Sequence, residues 1–315
     1  MQIIGVDTRV VRWPIEARGA ARGQWSERTA LVIGVRADDG TTGLGEAAPL
    51  PGMSIDTIAD ASLAAAELAA RVPIGPDSPA HATAIADRVT AAPAARFAIE
   101  TALLAALAQH RRTSVAALWS PVPQGELHFA TVVDDIADAR LALARGSRCL
   151  KIKAISPDRV LRIARAVPGV RLRVDANRSW PRAETVRWLQ QLAHLDLDYV
   201  EEPCLDAHEL LRDRLPCRIA LDESLVLLDS ADLARALRSP DLAALVLKPT
   251  LLGGFGRCLE LAALAHHHGV APVVSHTLEG PIGTAACVEL ARAIGADVPV
   301  GLAPHPGLDR FAEAA

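Results

Sequence analysis

From residue 128 onward the chain is a string of short apolar runs separated by helix-forming stretches, and no other feature restricts the fold as tightly. The runs are HFATVV, CLKIKA, RLRVDA, LDYVEEP, RIALDE, AALVLKP, APVVSH and VPVGLAP. Between them lie amphipathic segments such as DDIADARLALARG and DSADLARALRS, with apolar residues three and four apart. Apolar, β-branched strands alternating with helices need cover on both faces, which a parallel sheet with helical crossovers provides. Eight such strands predict a closed β/α barrel. The open, doubly wound alternative needs a glycine-rich phosphate turn after an early strand. The chain has none there, since LLGGFG comes late and lacks the spacing.

The first part of the chain has a different rhythm. IIGVDTRVVRW and TALVIGVRADDG read as strands, the second ending in the Asp39-Gly40 turn signal. After GLGEAAPLPG the period becomes helical over 56–71, 80–91 and 95–110, with Pro and Gly at the joins. This is an α+β domain, and WSPVPQGELHF, with two prolines and a glycine, reads as its exit. The expected division is an α+β domain over 1–123 and a barrel over 124–302, with the tail 303–315 packing back on the first domain.

A net charge of -4 with no block of like charge argues against a nucleic-acid surface or a polybasic membrane patch. No uncharged apolar run reaches the length of a membrane span, because the alanine-rich stretch 59–70 is interrupted by Asp60 and Glu67. The five cysteines include no C-x-x-C pair, and no basic-then-apolar leader opens the chain. The expectation is a cytoplasmic protein with free thiols that acts on a small molecule. Its oligomeric state stays open.

Charged residues mark the ends of the apolar runs. Lys153, Asp175, Glu201, Asp222 and Lys248 follow one another at 22, 26, 21 and 26 residues, one β/α unit per step. In a barrel the C-terminal strand ends converge on one mouth, so these side chains meet around a common cavity. Lys151 and Lys153 are two apart on one strand and face the same side. Buried in an apolar core, both ammonium groups would be costly, so that side is expected to be polar. An edge strand facing water would satisfy the pair equally well when it is taken alone.

Three carboxylates on adjacent strand ends repel one another unless a cation neutralises them. An all-oxygen set suits Mg²⁺, or Mn²⁺ as a substitute, and not zinc. Any one of the acids alone reads as a helix N-cap; all three at unit spacing, flanked by lysines, read as a site. The chemistry is removal of a proton beside a carboxylate, with Lys153 as base and the like charge of Lys151 lowering its pKa.

The set KIK, VDANRSW, VEEPC, LDES and VLKPTLLGG, preceded by GLGEAAPLPG, resembles the enolase superfamily, within its muconate-lactonizing-like subgroup, over nearly the whole chain. A lysine base beside a divalent metal is that superfamily's established pattern. The resemblance implies a (β/α)7β TIM-like barrel under an N-terminal α+β capping domain. It implies Asp175, Glu201 and Asp222 as metal ligands, Lys153 as general acid/base and Lys248 on the opposite face of the substrate. Among dehydratases of the subgroup the reaction would be syn-elimination of water from a cyclohexadiene carboxylate carrying a succinyl arm. Asn177 resembles a residue supporting the metal site, although it also suits a turn. Arg173 shares the face of Asp175, and either serves the mouth or offsets the acids structurally.

VVSHTLEGPIG resembles the loop that holds the succinyl carboxylate, here through Ser275, the amide of Gly280 and His276, which either donates a hydrogen bond or packs. His276 and Thr277 stand where the family pattern is serine-rich, and Pro281 removes a donor. PLPGMSIDT, with Pro51 and Ser54, resembles a loop that closes over the mouth, and RGAARGQWSER reads as a second flap. HHHG at 266–269 reads as a surface cluster at a helix end rather than a metal site. Two lysines on opposite faces also suit a racemase of N-succinylamino acids or a dipeptide epimerase. The D-x-D element that the latter carry after the last strand is replaced here by VGLAPHPG. A non-catalytic metal-binding barrel is the third reading, disfavoured because it has no need of two buried lysines.

Overall fold

The computed structural model describes residues 1–15, 26–123, 125–295, 297–305 and 308. Three antiparallel strands open the chain, β1 (Ile3–Pro14), β2 (Glu27–Ala37) and β3 (Thr42–Ala47), in the order β1-β2-β3. Helices α1 (Ile58–Ala70), α2 (Pro79–Val89), α3 (Pro93–Arg111) and α4 (Val115–Trp119) follow. α3 is buried along most of its length and lies directly on β3. The contact is backbone to backbone: a Cβ added at Gly45 would lie 1.8 Å from the Ala98 carbonyl oxygen, and one at Gly43 2.0 Å from that of Ala102. Glycine at both positions is therefore a packing requirement.

The second unit alternates strand and helix. Its elements are β4 (Ala130–Val133), α5 (Ile136–Ala144), β5 (Cys149–Lys153), α6 (Pro157–Ala166), β6 (Arg171–Asp175), α7 (Arg182–Leu192), β7 (Leu197–Glu201), α8 (Ala207–Leu210) and β8 (Ile219–Leu221). They continue through α9 (Ser230–Leu237), β9 (Leu242–Leu247), α10 (Pro249–Leu252), α11 (Phe255–His267), β10 (Ala271–Val274) and α12 (Pro281–Ile294). The strands β4 to β10 pair in sequence order as one parallel sheet. The expected eighth strand, VPVGLAP, pairs only at two residues. Val300 bridges Phe129 at one edge of the sheet and Gly301 bridges Ser275 at the other. The Ala130 N–H donates to Val300 O (2.9 Å) and the Gly301 N–H to Val274 O (2.8 Å), which joins the two edges.

Inside the curve, Tyr199, Ala220, Ala244, Val246 and Val273 form a small apolar cluster. Arg173 lies over the Tyr199 ring at 5.0 Å, donating to Asp198 (2.8 Å) and to the Pro299 carbonyl (2.6 Å). Its partners are thus Asp198, Pro299 and Tyr199, and it is paired with none of the three acids it was expected to offset. The five cysteines are unpaired, and no described helix is long and apolar enough to cross a membrane.

The first unit grips the second through charged side chains placed at helix ends. Glu100 of α3 accepts the N–H groups of Phe255 (2.6 Å) and Gly256 (3.0 Å), the start of α11. Glu46 of β3 accepts those of Gly280 (2.6 Å) and Gly283 (2.9 Å), the start of α12. A carboxylate at a helix N-terminus satisfies orphan donors and complements the dipole. Arg96 donates to the carbonyls of Gly253 (2.7 Å) and Leu252 (3.1 Å), at the other polarity.

Candidate active site

Strand alternation and register bring the charged residues to one rim. Lys153 pairs with Asp175 across β5 and β6, and Asp175 with Glu201 across β6 and β7. Asp222 and Lys248 come immediately after β8 and β9. The Lys151 ammonium stands 3.0 Å from Asp175 Oδ2 and 2.8 Å from Glu201 Oε1, and Lys248 is ion-paired with Asp222. Burial opposes the charge on Lys151, but the two acids outweigh it and hold its pKa well above the ordinary value. Burial likewise opposes the charge on Lys248, and Asp222 outweighs it. Burial works against the Asp175 carboxylate too, yet Lys151, Lys153 and Lys248 together hold its pKa down. Lys151, expected to act on Lys153, instead gives its charge to Asp175 and Glu201.

Among the described residues no three acidic, imidazole or thiol side chains converge to ligating distance, because lysines stand between these carboxylates. The donor set nevertheless fits a hard cation. Its members are all oxygens from three consecutive strand ends, and Glu201 Oε2 is buried with no partner at all. A buried carboxylate oxygen left unpaired is costly unless something positive meets it.

The backbone just beyond the acids is held in unusual conformations. Asn177 (φ 46°), Arg178 (φ 59°) and Glu202 (φ 38°) all lie in the left-handed region. Such strain persists only where surrounding contacts impose it. The Asn177 main-chain N–H donates to Asp175 Oδ1 at 3.1 Å, so its support of that carboxylate comes from the backbone. Glu202, next to Glu201 and pointing the opposite way, accepts the N–H groups of Asp222 (2.9 Å) and Ser224 (2.8 Å), the Ser224 hydroxyl (3.0 Å) and Arg178 (2.9 Å). It fixes the main chain that carries Asp222. Sequence reasoning passed it over, although strand alternation already requires that only one of two adjacent glutamates face the mouth.

The loop after β10 differs most from expectation. The Gly280 N–H, expected to meet a substrate anion, donates to Glu46, so this helix end already holds a carboxylate of the chain's own. Burial pushes the Glu46 pKa up to about 7, against the opposing pull of those two amides. The Ser275 hydroxyl donates to Gly301 O (3.1 Å), tying the barrel closure. His276 Nδ1 accepts from the Leu278 N–H (3.3 Å), so the ring serves its own loop. Burial, reinforced by His305 and Lys248, lowers its pKa to about 3, so the ring is neutral. Of the tail, His305 packs against His276 and bonds the Glu279 carbonyl at 2.7 Å; residues 306, 307 and 309–315 lie outside the described residues. Within 275–280 the Thr277 hydroxyl is buried and without a hydrogen-bond partner.

In the cap loop, the Ser54 hydroxyl accepts the Leu50 N–H (2.8 Å) and Pro51 is exposed. Of the second expected flap, residues 18–25 fall outside the described residues, while its last residue, Arg28, is buried. A groove of about 990 Å³ opens at the opposite end of the strands, lined by Phe129, Leu141, Arg145, Arg148 and Asp297 among others. None of the rim lysines or acids lines it.

Known proteins resemble this chain along both of its units. Residues 3–119 match the mandelate racemase/muconate lactonizing enzyme N-terminal domain, and residues 134–309 match the enolase C-terminal domain-like family. An o-succinylbenzoate synthase from Pectobacterium atrosepticum is 30% identical over 302 residues, covering 92% of this chain and 86% of that protein. One from an Enterobacter species is 31% identical, covering 96% and 89%. Among solved structures, a dipeptide epimerase from Methylococcus capsulatus, complexed with Mg and the dipeptide L-Arg-D-Lys, aligns with a TM-score of 0.82 at 26% identity, covering 96% of this chain and 91% of that one. An N-succinyl Arg/Lys racemase from Bacillus cereus, at 20% identity, TM-score 0.81 and coverage of 100% and 98%, shares the fold. Both halves of the chain and its full-length relatives thus point one way, and the chain belongs to the mandelate racemase/muconate lactonizing enzyme family of the enolase superfamily.

Proposed function

We propose that this chain is a Mg²⁺-dependent hydro-lyase, an o-succinylbenzoate synthase of menaquinone biosynthesis. It would convert 2-succinyl-6-hydroxy-2,4-cyclohexadiene-1-carboxylate to o-succinylbenzoate by syn-elimination of water. The observation that carries the reading is the similarity to synthases of that name over more than nine-tenths of the chain. Asp175, Glu201 and Asp222 would hold the ion, with Mn²⁺ as a substitute, and the orphaned Glu201 Oε2 supports that assignment. When bound, the ion supplies positive charge to the substrate carboxylate as the α-proton leaves.

The chain's own groups do the rest. Lys153 Nζ takes the α-proton on one face of the ring and returns it to the departing hydroxide, so that water leaves and the base is regenerated. Lys248, kept charged by Asp222, stabilises the transient anion from the other side without moving a proton. A buried, water-poor rim strengthens both effects.

The two lysines also suit racemisation of an N-succinylamino acid. A dipeptide epimerase is less well served, because the segment 300–305 reads VGLAPH and carries no acid for a substrate amine. The test is turnover of the cyclohexadiene substrate with Mg²⁺ beside racemisation of an N-succinylamino acid, for wild type and Lys153→Ala. Metal-dependent dehydration lost in the variant supports the synthase; racemisation without dehydration reassigns the lysines as a two-base pair.

A further inference from the structure

Two loops from different units are drawn together, 48–54 after β3 and 275–280 after β10. One side chain joins them. Arg28 of β2, 1% exposed, donates Nη1 to the Pro49 carbonyl (2.9 Å) and Nη2 to those of Ala48 (2.6 Å) and Thr277 (3.4 Å). Its Nε donates to the Leu278 carbonyl (3.2 Å). A planar guanidinium, with five donors in a rigid fork, can serve two backbone segments at once in a way an ammonium cannot. Burial works against the Arg28 charge, and Glu279, joined by Glu46 once that carboxyl has ionised, offsets part of this.

The segment that Arg28 holds is strained. Leu278 has φ 60°, a left-handed conformation unfavourable for a branched residue. Its carbonyl is taken by Arg28, its N–H by His276, and its side chain packs with Val11, Trp13, Ile15, Ala30, Val32 and Ala48 of the cap. The next residue, Glu279, accepts the Thr277 N–H and the hydroxyl of Thr250, two residues beyond Lys248. A continuous path of bonded groups therefore runs from the cap sheet through the strained loop to the strand end that carries a catalytic lysine.

We propose that Arg28 is a positioning residue: it holds Leu278 in its left-handed conformation and sets loop 275–280 against loop 48–54, so that the substrate's second carboxylate arm is received in register with Lys248. The kinetic half of this inference rests on the synthase reading, whereas the backbone half does not. Arg28 itself touches no reacting atom. Removing it would release four carbonyls and let the loop relax out of its strained form, weakening substrate capture more than the chemical step.

The test compares wild type, Arg28→Met and Arg28→Lys by hydrogen–deuterium exchange of full-length protein and by steady-state dehydration kinetics. For Arg28→Met, exchange at the amides of Thr277 to Gly280 is expected to quicken about tenfold or more while the barrel strands keep their protection. KM should rise on the order of tenfold to a hundredfold with kcat nearly kept, and Arg28→Lys should lie between the two. Unchanged exchange at these amides overturns the inference. So does faster exchange throughout both units, which marks a general structural role, or faster loop exchange with KM unmoved. If Arg28→Met does not fold, Arg28→Lys carries the same comparison. A wild type that dehydrates nothing removes the synthase reading, and the exchange data still decide whether Arg28 holds the loop.

Discussion

The Glu46 carboxylate, carried on a strand of the N-terminal sheet, lies 2.6 Å from the amide nitrogen of Gly280, where the last helix of the barrel begins. The two residues are 234 positions apart and form one buried joint. It brings a titratable group into the contact between the two units.

Stability should therefore depend on pH through Glu46. Its folded pKa of about 7 is raised from 4.5 by burial, with Glu279 adding to the rise and the two amides and Arg28 opposing it. Between these values the folded state holds a proton that the unfolded state has released. The stability this contributes is full below about pH 4.5 and is lost as pH rises through 7. Urea unfolding from pH 5 to 8 should show wild type losing on the order of 3 kcal/mol relative to Glu46→Gln, in which the effect is absent. Parallel pH profiles for the two proteins would contradict this.

Lys248 and Lys153 should separate in their effects. Lys153→Ala is expected to lower kcat about a thousandfold. Lys248→Ala should also cost roughly 3 kcal/mol of stability, because it leaves Asp222 buried without its partner. Adding Asp222→Asn to Lys248→Ala should restore stability and leave the enzyme inactive. Denaturant midpoints and single-turnover rates on the three variants check the pattern.

Glu202 orders the backbone of Asp222, so on the proposed assignment of Asp222 to the ion, Glu202→Gln should weaken Mg²⁺ binding. Titration calorimetry with Mg²⁺ is expected to show affinity down about tenfold to a hundredfold. Equal affinity in the two proteins would reduce Glu202 to a fold residue.

Thr277 carries a buried hydroxyl without a hydrogen-bond partner. If that hydroxyl meets the substrate's second carboxylate, Thr277→Val should raise KM about tenfold while leaving the protein as stable or about 1 kcal/mol more so. A gain in stability with KM unchanged would assign the hydroxyl no part in binding.

Much of this architecture was legible in the sequence, because period and charge spacing are local or regular properties. The helices expected over 56–71, 80–91 and 95–110 stand at 58–70, 79–89 and 93–111, and the rim charges do fall at successive strand ends. VPVGLAP, strand-like in composition, takes the closing place between the two edges, although its bridges are confined to Val300 and Gly301. Arg28, Glu46 and Glu279 were missed. Their partners lie on another element or another domain, and a lone charged residue beside an apolar run reads as surface. The Gly280 amide was misjudged on the same ground, since nothing near position 280 announces that Glu46 will occupy it.

The two glutamates that seal α11 and α12 bear on how such enzymes can be recombined. An N-terminal unit taken from a relative would dock only if it brought an acid to both places, matched to the spacing of two helix ends in the recipient. A graft lacking either one would leave amides facing an apolar seam. The joint thus favours exchanging the two halves together over exchanging either one alone.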